Sequence, residues 1–234
     1  MNPKNFTALA ALAIAAATAA HATPITSLDT GAGLYGVNYS VNDNAVATDL
    51  NWSVSLLSST GTPPGGIPTG TAYLVPNNIG FPFGYWVNND ATSSWITYSS
   101  PIQLGGDTTD DTFQYQVTFT ADNSGTADVS WLGDNDNWLY VNGTLIGSNT
   151  AQFWTWNTPV AFSVTAGTTY TVALDVYNES QGSGNPTGAR VEFTGPINVS
   201  TGSVPDTTST LMELVIAAIP VAILLRRSRK TRTA

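Results

Sequence analysis

The sequence predicts an all-β chain, an antiparallel β-sandwich followed by a C-terminal hydrophobic helix. Three observations predict it. Apolar side chains recur at every second position in several segments, clusters of Gly, Pro and Asn separate those segments, and no helical period occurs between the two ends of the chain. Roughly 180 residues between those ends suffice for one domain with a sizeable core.

In chain order, alternation is expected to form strands at Tyr35-Val37-Tyr39-Val41, Trp52-Val54-Leu56, Phe113-Tyr115-Val117-Phe119 and Tyr170-Val172-Leu174-Val176. Turns are expected at Pro63-Pro64-Gly65-Gly66, Gly105-Gly106-Asp107, Asn142-Gly143, Ala166-Gly167 and the 182–186 loop. Asn142-Gly143 is the sharpest of these, because both central residues of a type I′ turn need positive φ. It predicts a hairpin joining Trp138-Leu139-Tyr140-Val141 to Thr144-Leu145-Ile146. The Gly/Pro-rich stretch 60–84 reads as a long loop rather than a domain boundary.

The two ends carry signals rather than fold. Met1 to Ala22 has an early lysine, an Ala/Leu/Ile-rich stretch and a small-x-small close, Ala20-His21-Ala22, before Thr23. That is the pattern of a secretory signal peptide (1–22) cut between Ala22 and Thr23. At the other end stands a polar segment, Val204-Pro205-Asp206-Thr207-Thr208-Ser209-Thr210, then an apolar run from Leu211 to Leu225, then a basic end (226–232) holding Arg226, Arg227, Arg229 and Lys230. As a helix the apolar run would rise about 23 Å, short of the ~30 Å hydrocarbon core. The basic residues directly behind it nevertheless mark the cytoplasmic side of a membrane segment. The sandwich (23–203) is then expected outside the cytoplasmic membrane.

Removing both ends sharpens the composition. The body keeps fourteen acidic residues against one basic residue, Arg190, a net charge of −13. Such a surface repels phosphate backbones, so no nucleic-acid partner is expected. The only histidine, His21, leaves with the leader, and the chain has no cysteine. Ser-His-Asp and Cys-His nucleophile systems and His/Cys zinc sites are thereby excluded. Carboxylate chemistry stays open, but Glu179 and Glu192 are the body's only glutamates and nothing marks an acid pair, so no enzyme is expected. Glu192, alternating with Val191 and Phe193, is expected on a solvent-facing strand face.

Two sets of residues are candidates for binding. Asp134-Asn135-Asp136 offers oxygen ligands to calcium, although it lacks a full loop ending in a bidentate Glu; turn chemistry accounts for the same residues. Asp107, Asp110 and Asp111 form a second acidic loop of the same kind. Trp154 and Trp156, in Phe153-Trp154-Thr155-Trp156, lie on one face if the segment is a strand. They either stack on a sugar ring or fill the core, core being the commoner fate of large aromatics.

The tail resembles the PEP-CTERM class of bacterial sorting signals, specifically the V-P-D-S-G-S-T variant, with Thr207-Thr208 standing where that variant has Ser-Gly. The resemblance implies export, a membrane-embedded exosortase-like sorting protease as partner, and a final place in the cell envelope, cell surface or extracellular matrix beside exopolysaccharide or another envelope glycan. A permanent single-pass anchor through the helix is the alternative. The segment from Trp131 to Gly143 is similar to galactose-binding-like jelly rolls, in which an acidic turn precedes a strand ending in a V-N-G hairpin. Ser94-Trp95-Ile96 and Phe162 to Tyr170 extend that likeness. It implies a jelly-roll body and, as the alternative function, a carbohydrate-binding module with or without calcium.

Overall fold

The computed structural model describes residues 22–34, 47–77, 79–100, 102–103, 109–150, 153–181 and 185–201. The expected strand at 35–41, the Gly105-Gly106-Asp107 turn, part of the 182–186 loop, the leader up to His21 and the whole of 204–234 lie outside these residues. So do the C-terminal helix and its basic end. Among the described residues no helix is long and apolar enough to cross a membrane.

The strands are β1 (Thr23–Pro24), β2 (Ser53–Ser59), β3 (Tyr73–Leu74), β4 (Ile96–Thr97), β5 (Asp111–Ala121) and β6 (Gly125–Asp134). They continue with β7 (Asp136–Val141), β8 (Thr144–Asn149), β9 (Val160–Val164), β10 (Thr169–Asn178), β11 (Gly188–Thr194) and β12 (Asn198–Ser200), and a 3-10 turn spans Ile25–Leu28. They form two antiparallel sheets. The first runs β1-β12-β5-β10-β7-β8, with β2 sharing the β12 edge of β5, and the second runs β3-β4-β11-β6-β9. From β5 onward the chain changes sheet at every step except the β7–β8 hairpin, so successive strands face each other across the core.

Alternation decides the interior. Phe113, Tyr115, Val117 and Phe119 of β5 are all buried, and in register with them lie Val176, Leu174, Val172 and Tyr170 of β10. Val129 and Trp131 of β6 and Val191 and Phe193 of β11 close the core from the second sheet. Burying each such side chain contributes about 1.5–3 kcal/mol. The hairpin forms as the sequence predicts. Asn142 and Gly143 have φ of 49° and 76°, and the Asn142 side chain accepts the Thr171 N–H at 2.8 Å, tying the turn to β10.

The outer face of the second sheet is where the structure departs from expectation. The loop between β3 and β4 folds over it and builds a second apolar cluster of Val75, Trp86, Trp95 and Leu132. Trp86 and Trp95 stack at 4.2 Å between ring centroids. Under the same cover sits Arg190, fully buried on the outer side of β11. It donates to Ser93 Oγ (2.6 Å), to the Asn88 carbonyl and to Glu192 Oε1 (3.2 Å), and pairs with Asp90 at 2.7 Å. Its guanidinium lies 4.8 Å from the Trp156 ring centre. Glu192 therefore does not face open solvent: the loop covers that strand face and Ser93 donates to its carboxylate at 2.6 Å.

Candidate functional site

A cavity of about 300 Å³ opens where this loop meets the end of β6. Two tight turns at Pro82, whose carbonyl accepts the N–H groups of Tyr85 and Trp86, present Phe81 and Tyr85 on one side. Tyr85 is 68% exposed and meets Phe81 edge-to-face at 6.1 Å. Phe153, bound through its carbonyl to the Val87 N–H, supplies another apolar wall. Gln181 and Asn185 line the opposite rim.

Asp134 is the charged group in this cavity. It is the last residue of β6, opposite Gly188 of β11, and only 6% exposed. The Trp86 indole N–H donates to its Oδ2 at 2.8 Å, whereas Oδ1 is buried with no hydrogen-bond partner among the described residues. Burial with a single donor pushes its carboxyl up to about 7, only partly offset by the indole. Its backbone is fixed from two sides: its carbonyl accepts the Thr187 hydroxyl at 2.6 Å, and the following Asn135 N–H donates to the Tyr177 carbonyl at 2.8 Å. The peptide bond between Asp134 and Asn135 is cis, as is that between Phe81 and Pro82.

The three residues of the expected calcium site are thus dealt with differently. Asp134 lines the cavity, Asn135 Oδ1 accepts the Glu179 N–H at 3.0 Å, and Asp136 stands in β7 opposite Tyr177. Among the described residues no three His, Cys, Asp or Glu side chains converge in a group that would hold a metal. In the second acidic loop Asp110 accepts the Ser180 N–H at 2.8 Å, which lowers its pKa, and Asp111 accepts the Thr109 hydroxyl at 2.8 Å. Asp107 lies outside the described residues.

The tryptophan pair also separates. The 153–159 segment is irregular rather than a strand, so the two-residue spacing does not put Trp154 and Trp156 on one face. Trp154 is 56% exposed and packs edge-on against Phe153, while Trp156 is half-buried over Arg190. Of the leader's cleavage residues, Ala22 is exposed and Thr23 opens β1 opposite Val199; Ala20 lies outside the described residues. Sequence reasoning missed Phe81, Tyr85, Trp86, Gln181 and Asn185. Their one signal was the aromatic density of Phe81-Pro82-Phe83-Gly84-Tyr85-Trp86 inside a stretch read only as loop.

No protein-family model matches the chain, and no curated protein matches it. Among solved structures it is similar to the PA14 sugar-binding domain from an RTX adhesin, at 18% identity over 39% of this chain and 55% of that one, with a TM-score of 0.29. It is similar to a beta-glucosidase from Kluyveromyces marxianus in complex with glucose, at 11% identity over 61% of this chain and 16% of that one, TM-score 0.36. A family 35 carbohydrate binding module from Clostridium thermocellum is similar at 15% identity over 53% of this chain and 88% of that one, TM-score 0.29. The chain thus spans about half of the adhesin domain and about a sixth of the glucosidase.

Proposed function

We propose that this is an exported, non-catalytic glycan-binding protein, and that the cavity between Tyr85 and Asp134 is its binding site. The observation that carries the reading is the juxtaposition of a solvent-exposed aromatic ring with a buried, under-donated carboxylate in a space the size of one sugar ring. An exposed Tyr or Phe face supplies apolar contact to the C–H face of a pyranose. A carboxylate that lacks donors accepts hydrogen bonds from its hydroxyls. About 300 Å³ is at the small end of ligand pockets, which suits one residue of a longer chain. The jelly-roll expectation agrees with strands that alternate between two antiparallel sheets.

Glycan-array binding followed by titration calorimetry on the full chain in mild detergent tests this. Tyr85→Ala is expected to weaken binding at least tenfold, about 1.4 kcal/mol, while Trp154→Ala changes it less than twofold. The reverse order would move the site to the Phe153–Trp154 surface. Chelation with EDTA is expected to leave the affinity unchanged, because Asp134 is the one carboxylate of the triplet that lines the cavity.

Export and exosortase-like sorting to the envelope or matrix are part of the same proposal. They are supported by the leader and tail sequences. Intact mass of the surface-exposed protein tests them. A chain beginning at Thr23 and ending near Val204 to Asp206 supports processing, and one retaining Arg226 to Ala234 means a permanent anchor instead.

A further inference from the structure

We propose that the cavity selects a glycan carrying a free amine, a hexosamine unit without its N-acyl group, whose ammonium pairs with Asp134 while Tyr85 and Phe81 cover the ring. This rests on the glycan-binding reading above and names its substrate class.

Asp29, Asp49 and Asp134 are deeply buried carboxylates that are held in different ways. Asp49 accepts three backbone N–H groups, from Gly31, Asn51 and Trp52, at 2.6–2.8 Å. Asp29 accepts the Phe193 N–H at 2.6 Å. These two are tied to backbone, as groups that hold a fold together are. Asp134 receives one indole N–H, from a loop residue, and its second oxygen has none among the described residues. It is also the carboxylate that lines a cavity bearing exposed aromatic rings.

Charge decides among sugars. The body's single cation, Arg190, is committed to Asp90, Glu192, Ser93 and Trp156, so no positive group lines the cavity among the described residues. Asp136, which opens β7, and Glu179, just past the end of β10, add to a negative field around Asp134. Uronates and sulfated or phosphorylated sugars would meet repulsion with nothing to offset it. A neutral hydroxyl offers Asp134 one donor. An ammonium offers three donors and the missing charge, and charge-assisted bonds of this kind are about twice as strong as neutral ones. An N-acetyl group removes the charge and replaces it with a bulkier amide.

The test is titration calorimetry of the full chain in mild detergent at pH 7, where Asp134 is substantially ionised, with four tetrasaccharides of matched length: β-1,4-linked glucosamine, its N-acetylated form, the corresponding neutral glucan, and a uronate oligomer. The free-amine form is expected to bind at least tenfold more tightly than the N-acetylated and neutral forms, and the uronate not measurably. Asp134→Asn is expected to abolish that preference and retain weak binding of the neutral chain. Tyr85→Ala is expected to weaken the free-amine form at least tenfold. Should Asp134→Asn fail to fold, the wild-type ranking of the first three ligands together with Tyr85→Ala decides the matter.

Equal binding of amine, N-acetyl and neutral chains, still lost in Tyr85→Ala, overturns this inference and leaves the glycan reading standing. Binding of none of them overturns both. Amine binding that survives both substitutions is diffuse attraction to an acidic surface and overturns the inference. So does binding that requires added calcium, since Asp134 would then serve a metal rather than the sugar.

Discussion

Arg190 shows how much one residue carries in a body with a single cation. Its side chain is fully buried, yet all its strong partners come from one loop and one strand: Asn88, Asp90 and Ser93 on one side, Glu192 two residues along β11 on the other. A buried guanidinium is tolerated only when its donors are taken up and its charge balanced. Here Ser93 binds both ions of the pair, donating to Glu192 and accepting from Arg190 Nε. Removing the arginine leaves two carboxylates with no counter-ion and a void under the Trp156 ring. Asp90 is half exposed and Glu192 is 22% exposed, so water can recover part of the loss. Arg190→Ala is therefore expected to cost about 3 kcal/mol, the low end of what breaking a buried pair costs. Urea unfolding monitored by tryptophan fluorescence measures it; a loss below about 1 kcal/mol would mean that the loop is held by its tryptophans alone. Arg190→Lys is expected to recover less than half, because a point charge cannot reproduce the forked contacts to Ser93 and the two carboxylates.

At the scale of elements, the legible strands are those whose two faces differ. β5 and β10 run ten or more residues with one face in the core, so their period is plain in the sequence. The Asn142-Gly143 hairpin was legible for a local reason, the positive φ its turn requires. β3 and β4 have two residues each and cannot show a period at all. The outer face of β11 misled for a different reason. Alternation correctly separates Val191 and Phe193 from Arg190 and Glu192, but it cannot tell solvent from a covering loop that comes about a hundred residues earlier in the chain. The candidate site depends on that returning loop. Its aromatic residues follow neither period, because turns at Pro82 aim them rather than a ladder or a helix. Trp154 and Trp156 failed in the opposite way: their spacing has the period of a strand, but no neighbouring strand pairs with the segment, so nothing enforces a common face. Asp134 was singled out for calcium chemistry, since sequence shows three oxygen-bearing neighbours and not that one of them turns inward while another bonds Glu179.

The whole molecule gathers these buried acids into one pH response. Burial pushes the carboxyl of Asp29 up to about 8 and that of Asp134 up to about 7, from 3.8 in the unfolded chain, and raises Asp49 as well. Below about pH 4 both folded and unfolded chains hold these protons, and the groups cost nothing. Between about 4 and 8 the folded chain retains protons that the unfolded chain has released, so unfolding becomes easier as pH rises. Each group alone has a limiting slope of about 1.4 kcal/mol per pH unit. His21, the one histidine of the sequence, has an ordinary pKa between about 5 and 8. The expected outcome is greater stability at pH 5 than at pH 8, by at least about 2 kcal/mol, or roughly 4–8 °C in Tm for a chain of this size. Thermal unfolding across that range measures it in the parent chain, in Asp29→Asn and in Asp134→Asn. Each substitution should flatten part of the slope without lowering stability at pH 8, since it removes a charge whose burial is unfavourable there. A stability that rises with pH, or a slope unchanged in both variants, would mean that these carboxyls stay ionised in the folded chain. The same measurement bears on the cavity: a ligand that pairs with ionised Asp134 should reduce the slope when bound, and one that only accepts from its protonated form should not.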